Sequence, residues 1–367
     1  MTNSEAESVP SPMEGHGAYN RSSRVQAAGL AAAIPLLRRA AEAVSLAAAP
    51  EPIVIADYGC SEGHNSLVPM REAIGALRKR IGASRAISVV HTDLPSNDFG
   101  ALFESLESDP DSYLRGEEAI FASAVGRSFY LQLLPSGSVT LGWSSWSVQW
   151  LSRTPALIPD QVQVAYSHDA NACAAFARQA AEDWHAFLLH RAAELRPGGQ
   201  LVVLSMAKTD GGDFGYRLVV DALIGALMDL AAEGEVGAAE IERMAIPTYG
   251  RTRAEFTSPF ADSGQVSGLA LASIEIFLGE DHIYEDYERD RDAGAFGRRW
   301  AAFVRASTFP TLAQALEGGG EERAERFYDL LEARLAARLA AAPGPNAIPL
   351  AKLLLVKQDA SAPLKSP

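Results

Sequence analysis

Through the N-terminal half of the chain, short apolar runs bounded by turn residues alternate with longer amphipathic stretches. Tyr19 to Val44 is helical in pattern, with Ser22 or Ser23 placed as its N-cap. Pro35 inside that stretch predicts a kink or the start of a second helix, because proline lacks the N–H that a helix interior needs. Ile53, Val54 and Ile55 form a β-rich run that breaks off through Asp57 into Gly59, Cys60, Ser61 and Gly63, and a helix is predicted from Ser66 to Ile81. Ala86 to His91 predicts a second strand ending at Asp93, with shorter β candidates at Ile120 to Ser123 and Val139 to Gly142. Ala170 to Leu195 reads as a long amphipathic helix closed by the turn Pro197, Gly198, Gly199. The following run, Leu201 to Met206, is apolar but for Ser205, as strands covered on both faces tend to be. This alternation of β and α predicts a parallel sheet.

After Lys208 the rhythm changes. Gly215 to Ala232, Arg251 to Phe260, Ala295 to Ala306 and Glu321 to Ala341 read as helices; Ser273 to Leu278 and Leu350 to Val356 read as strands returning to the sheet. These late helices outnumber what two strands need as cover, which predicts a lid over the carboxyl ends of the earlier strands, where ligands bind in open α/β sheets. The resulting division has a core at residues 16–210, completed by 268–280 and 348–358, with a mainly helical cap at 211–267 and 281–347. Residues 1–15 and 359–367 read as a disordered and a loose tail.

Composition narrows the class. The chain has 367 residues, 48% of them apolar and 21% charged, which is ordinary for a globular protein with ample core. A net charge of −14 argues against nucleic acid or an anionic membrane as the main partner. No apolar signal segment or membrane-length stretch is present, and the two cysteines, Cys60 and Cys173, make no disulfide framework, so a cytoplasmic location is expected.

The candidate chemistry starts at Asp57 to Asn65. A strand feeding a glycine-containing turn and a helix N-terminus is the nucleotide-cradling corner of an α/β sheet, although the glycine spacing is looser than a dinucleotide fingerprint. Asp93, just past the second strand, has the position of an acid that accepts hydrogen bonds from ribose hydroxyls; a helix N-cap or turn role suits it equally. Trp143, Trp146 and Trp150, at spacings of three and four, would share a helical face and read as core aromatics on pattern alone. Cys60 reads as an inert small residue, His185 and His190 as ordinary histidines without a third ligand, and the acidic run from Asp281 to Asp292 as a solvated, salt-bridged face.

Five separated stretches decide between these alternatives: YNRSSRVQ at Tyr19 to Gln26, DYGCSEGHNS at Asp57 to Ser66, TDLPSNDF at Thr92 to Phe99, GRSFYLQLLPSGSVTLGWSSWSVQWLS at Gly126 to Ser152, and EDWHAFLLHRAAELRPGG at Glu182 to Gly199. In order and spacing they resemble the salicylate/benzoate/theobromine (SABATH) family of small-molecule carboxyl methyltransferases, with further echoes at Ile246 to Phe256 and in the IEIFL run. The resemblance implies an α/β fold of the class I methyltransferase type: a Rossmann-like, mostly parallel seven-stranded sheet with an α-helical cap. It implies S-adenosylmethionine as cofactor and S-adenosylhomocysteine (SAH) as product. Tyr19 and Ser23 would close over the cofactor; Asp57, Gly59, Cys60 and Asn65 would hold its methionine end. Asp93 would take the ribose, with Leu94, Ser128 and Phe129 against the adenine. Gln26 and Trp150 would donate to the substrate carboxylate, with Trp146, Gln149 and Tyr249 lining the pocket.

That implied reaction suits uncharged donors. A carboxylic acid is ionised at neutral pH and needs no base. The expected activity is therefore formation of the methyl ester of a small aromatic or apolar carboxylic acid. The alternatives are methylation of a purine-like ring nitrogen, whose rate would rise with pH, and a non-catalytic sensor. Gln149 stands where many acid-methylating members carry histidine, which points away from salicylate or benzoate specifically. Tyr58 and His64 also depart from the family's usual turn residues. The stretch Glu242, Arg243, Met244, Ala245 lacks the aspartate and asparagine through which some members bind magnesium, so no metal is expected. Members of the family often form homodimers; the sequence displays no interface for one.

Overall fold

A computed structural model describes residues 13, 24–116 and 118–358, with residues 24–28 described through their backbone alone. Apart from Met13, both tails, Tyr19, and the serines considered as an N-cap lie outside the described residues. The first helix, α1 (Arg24–Ala43), continues through Pro35, so no second helix starts there. Pro35 and Ala31, whose carbonyl loses its helical partner, are both exposed, so water can serve the freed carbonyl at little cost.

The elements then follow the predicted alternation with longer strands. They are β1 (Ile53–Tyr58), α2 (His64–Ile81), β2 (Ile87–Asp93), α3 (Phe99–Ser108), β3 (Ile120–Gly126), β4 (Val139–Ser145), α4 (Ala170–Glu194) and β5 (Leu195–Met206). The helix α3, not foreseen from its pattern, starts where the Asp98 carboxylate accepts a hydrogen bond from the Ala101 N–H at 2.9 Å. Asp169 caps α4 in the same way, through the Ala172 N–H at 2.7 Å. The Pro197–Gly199 turn does not precede the fifth strand but bulges within it. Leu195 already pairs with Val139, and the register shifts before Gln200 pairs with Leu141.

Beyond β5 come α5 (Arg217–Ala232), α6 (Ala238–Arg243), α7 (Arg253–Thr257), β6 (Gln265–Val266), β7 (Leu269–Leu278), α8 (His282–Asp290), α9 (Ala293–Ala313), α10 (Gly320–Ala341) and β8 (Pro349–Lys357). Phe327, Leu331, Leu335 and Leu339 on α10 recur every fourth residue and are buried, and α10 packs on both α5 and α9. The acidic run forms α8, with Ile283 buried beneath it and Asp286 paired to Arg289 and Arg299.

The sheet order is β3-β2-β1-β4-β5-β8-β7-β6. The first five strands are mutually parallel, and β8 runs antiparallel between β5 and β7. The sheet has eight strands rather than the expected seven, because the two-residue β6 adds a short hairpin edge to β7. Trp143 lies inside β4 and is fully buried; Trp146 and Trp150 follow that strand. The three tryptophans therefore do not share a helical face as their spacing suggested.

Candidate active site

The strand order reverses between β1 and β4, so a crevice opens at their carboxyl ends. The turn after β1 forms one wall. Gly59 holds φ +87°, a left-handed conformation that glycine adopts without penalty. A Cβ there would lie 2.0 Å from Ser147 Oγ and 2.5 Å from Ser147 Cβ on the β4 side, so the two walls touch where this side chain is absent. Ser61 also adopts positive φ, and its hydroxyl is buried without a hydrogen-bond partner among the described residues.

Two carboxylates stand at this turn. Asp93, at the end of β2, accepts hydrogen bonds from the Ser61 N–H at 2.7 Å and the Leu94 N–H at 2.8 Å. Desolvation pushes its pKa up to about 6, against the pull of those two N–H groups, and the charge of Asp57 adds to the rise. Asp57, at the end of β1, is buried and accepts a 2.8 Å hydrogen bond from His91 Nδ1 on Oδ2. Between them sits Cys60. Burial, and then the charges of Asp93 and Asp57, push its thiol well above the usual range, which leaves it neutral and a poor nucleophile at pH 7.

The segment after β4 forms the other wall. Trp146 takes φ +55° and donates its backbone N–H to the Leu204 carbonyl at 2.9 Å. The following residues are clamped from three sides. Tyr130 donates its hydroxyl to the Trp150 carbonyl at 2.5 Å, Arg251 Nη1 donates to the Val148 carbonyl at 2.6 Å, and Trp150 bridges to Thr248. Gly29 in α1 permits close approach on this side: a Cβ there would meet Trp146 Cζ2 at 2.7 Å.

Behind Trp146, Gln149 and Trp150 lies a cavity that is partly open to solvent. Phe214, Tyr216, Val219, Val220 and Leu223 line it from α5 and the segment before it; Phe303, Val304, Ser307 and Thr308 line it from α9; Met13 also reaches it. Its described wall carries no charged side chain. Several of its polar groups are already bonded. Gln163 Nε2 donates to Thr248 Oγ1 at 2.6 Å, and the Ser307 and Thr308 hydroxyls donate to the Phe303 and Val304 carbonyls. Gln149 uses only its oxygen, which accepts from Ser205 Oγ at 3.1 Å. The Gln149 Nε2 and Trp150 Nε1 donors meet no acceptor among the described residues.

Most of the sequence-derived candidates gather around these two spaces. Asp57, Gly59, Cys60, Asp93 and Leu94 surround the turn, and Asn65 sits in the first turn of α2. The Phe129 ring stands beside Gly59, and Ser128 Oγ accepts from the Tyr130 N–H in the same loop. Trp146, Gln149 and Trp150 line the cavity. Tyr249 does not. Its hydroxyl donates to Glu255 at 2.6 Å, and Lys208 Nζ lies 4.2 Å from its ring centre. Tyr19 and Ser23 lie outside the described residues; Gln26 belongs to α1, and its side chain is likewise outside them. Among the described residues no group of three histidine, cysteine or acidic side chains is placed to hold a metal ion, and no helix is long and apolar enough to cross a membrane.

Residues that brace the site went unrecognised in the sequence: His91 behind Asp57, Arg251 behind Val148, and the buried pair Arg191 and Glu194 behind the loop carrying Ser128 and Phe129. Only the last left a trace, two opposite charges three apart near the end of the predicted amphipathic helix.

A mostly parallel sheet of this order, an acid at the end of β2 and a cavity under a helical layer define the class I methyltransferase fold. The solved structure of a loganic acid methyltransferase with SAH superposes with a TM-score of 0.76 over 95% of this chain and 99% of that one, at 21% identity, which establishes the same fold. The chain belongs to the SAM-dependent carboxyl methyltransferase family, whose model matches residues 9–351. A salicylate carboxymethyltransferase of Clarkia breweri is 31% identical over 71% of this chain and 74% of its own length. Indole-3-acetate O-methyltransferase 1 of Arabidopsis thaliana is 28% identical over 88% of both chains. The methyltransferase FUS9 of Gibberella moniliformis is 31% identical over 66% of this chain, and the match spans 64% of that protein's length.

Proposed function

We propose that this protein transfers a methyl group from S-adenosylmethionine to the carboxylate of a small aromatic or apolar acid, forming its methyl ester. The observation that carries the acceptor is the cavity wall. It is apolar, it has no described charge, and the donors it leaves without partners among the described residues are the Gln149 amide N–H, the Trp150 indole N–H and the Tyr216 hydroxyl. Such groups orient a carboxylate without neutralising it, and the apolar lining keeps water from competing for it. Gln26, assigned by resemblance, joins them as a donor.

The crevice suits a cationic cofactor. Two neighbouring carboxylates have only His91 as a basic hydrogen-bond partner among the described residues, and Ser61 Oγ is a buried polar atom without a partner. Asp93 has the acceptor capacity for a ribose diol, Asp57 supplies the opposite charge for an ammonium group, and the Phe129 ring offers a face for the adenine. When bound, S-adenosylmethionine supplies a methyl group on a positively charged sulfur. The protein's part is to hold the carboxylate oxygen near it in a dry, fixed geometry, which can lower a barrier by on the order of 7–11 kcal/mol. No proton need be removed. A ring nitrogen would have to lose one, and the only titratable side chain on the described cavity wall is Tyr216, whose pKa burial raises above its usual range. This favours the acid over the purine-like acceptor.

The apolar cavity walls on α5 and α9 support treating 211–267 and 281–347 as a substrate-enclosing cap on a core of 16–210, 268–280 and 348–358. The free thiols of Cys60 and Cys173 suit a cytoplasmic setting. The direct test is methyl transfer from labelled cofactor to a panel of indole, benzoate-like, cinnamate-like and terpenoid acids and purines, with products identified by mass. A rate on acids that is flat with pH above their pKa is expected; transfer to purines alone, rising with pH, would replace the acid reading. Tight cofactor binding with transfer to no compound would favour a sensor.

Two variants separate the halves of the site. Trp150→Phe removes one donor to a charged group and is expected to lower turnover about 10- to 100-fold while SAH affinity stays within about twofold. Equal loss of both would contradict the donor role. Asp93 makes the cofactor site pH-dependent. With its pKa near 6 it takes up a proton as pH falls through that value, and a protonated carboxyl accepts less well from hydroxyls. Calorimetry should therefore show SAH binding weakening from pH 7.5 toward pH 5, whereas Asp93→Asn should bind weakly and lose this dependence. Wild-type binding that is level across pH 6 would remove Asp93 from the ribose.

A further inference from the structure

Asp57 and His91 are register partners across β1 and β2, so the sheet itself sets their side chains next to each other. Asp57 Oδ2 and His91 Nδ1 are 2.8 Å apart, and on the other side of the ring Nε2 lies 2.7 Å from the Tyr113 hydroxyl. The three residues are buried, at 1%, 0% and 1% exposure. A carboxylate only accepts, so Nδ1 carries the proton shared with Asp57, and Tyr113 anchors the far edge of the ring. This fixes Asp57 Oδ2. The other oxygen, Oδ1, makes no hydrogen bond with any described residue. A buried carboxylate with one oxygen tied and one left over is costly unless something meets the second.

We propose that His91, braced by Tyr113, is a positioning residue for the cofactor: it orients Asp57 so that Oδ1 faces the crevice and receives the ammonium of the cofactor's amino-acid end. This rests on the cofactor assignment made above. The chemistry selects that end of the ligand. The adenosine portion is neutral, whereas the amino-acid end carries a cation that a fixed carboxylate oxygen attracts. The inference therefore separates two ligands: SAH, which has the amino-acid end, and 5′-methylthioadenosine, which lacks it.

Calorimetry of the full-length protein tests the relay. His91→Leu leaves Asp57 unheld and is expected to weaken SAH about 10- to 100-fold while 5′-methylthioadenosine binds within about twofold of wild type. His91→Asn places an amide N–H near the Nδ1 position and should restore SAH to within about threefold of wild type. Tyr113→Phe removes the outer brace alone and should weaken SAH less than His91→Leu, again sparing the truncated ligand. A His91→Leu protein that keeps its SAH affinity, or loses both ligands equally, overturns the inference, as does an asparagine variant no better than the leucine one. Should His91→Leu fail to fold by far-UV circular dichroism, Tyr113→Phe decides: selective loss of SAH supports the relay, and unchanged or uniform loss overturns it. Failure of the wild-type protein to bind either ligand would instead overturn the cofactor assignment itself.

Discussion

Replacing Arg191 with methionine should cost about 3–5 kcal/mol of folding stability, the range for removing one partner of a buried ion pair. Arg191 and Glu194, on the last turn of α4, have no exposed side-chain surface and meet at 2.8 Å. The guanidinium donates to the Phe129 carbonyl at 2.7 Å and the Leu131 carbonyl at 2.8 Å, and lies 4.3 Å over the Tyr58 ring. Glu194 accepts from the Leu133 and Leu134 N–H groups and from the Tyr58 hydroxyl. The pair therefore stitches β1, α4 and the loop carrying Ser128 and Phe129 together. Methionine keeps much of the volume but leaves a buried carboxylate without its cation and two carbonyls without donors. Urea unfolding measures the loss, and SAH affinity should fall with it because the loop is released. Adding Glu194→Gln should return part of the stability, since a neutral amide is cheaper to bury. A loss below about 1 kcal/mol, the range of an exposed pair, would show the network to be dispensable.

Gly59→Ala should nearly abolish cofactor binding, lowering SAH affinity by at least about 100-fold with a stability loss of about 1–3 kcal/mol. Two effects act together. Alanine at φ +87° is strained, and its Cβ would overlap both the Oγ and the Cβ of Ser147. A rotated hydroxyl relieves only the first contact, so the turn after β1 and the segment after β4 must separate, and these are the two walls of the crevice. Ser147→Gly introduced alongside removes the collision but not the strain, and should recover part of the affinity. A double variant no better than Gly59→Ala would show that the collision is not the cause. Isothermal titration with SAH and thermal melting of both variants provide the readout.

Much of the fold was legible because its signals are local. Runs such as Leu201 to Leu204 are apolar at every position because both faces of a parallel strand are covered, and the spacing of Phe327, Leu331, Leu335 and Leu339 marks one face of a helix. The turn from Asp57 to Gly63 announced itself by glycines, which are required only where φ is positive or backbones approach. Pattern reading failed where one residue type fits two environments. The spacing of Trp143, Trp146 and Trp150 matches a helix, yet Trp143 completes a strand and Trp146 starts an irregular segment held by Tyr130 and Arg251 from elsewhere in the chain. Whether Pro35 would start a second helix was not legible, because that depends on whether the orphaned carbonyl reaches water, and only packing settles which face is wet.

The sequence by itself determined the α/β alternation, the glycine turn and its two acids, the apolar late helices and membership of the carboxyl methyltransferase family. These follow from short-range propensity and from motifs that keep their order along the chain. Tertiary structure alone decided the braces: His91 against Asp57, Arg191 and Glu194 behind the Phe129 loop, and Tyr249 turned to Glu255 instead of the cavity. Partners such as Asp57 and His91 or Phe129 and Arg191, tens of residues apart, meet only through strand register and helix packing, and even for near neighbours such as Tyr249 and Glu255 a hydrogen bond depends on distance and direction in space, which spacing along the chain does not encode.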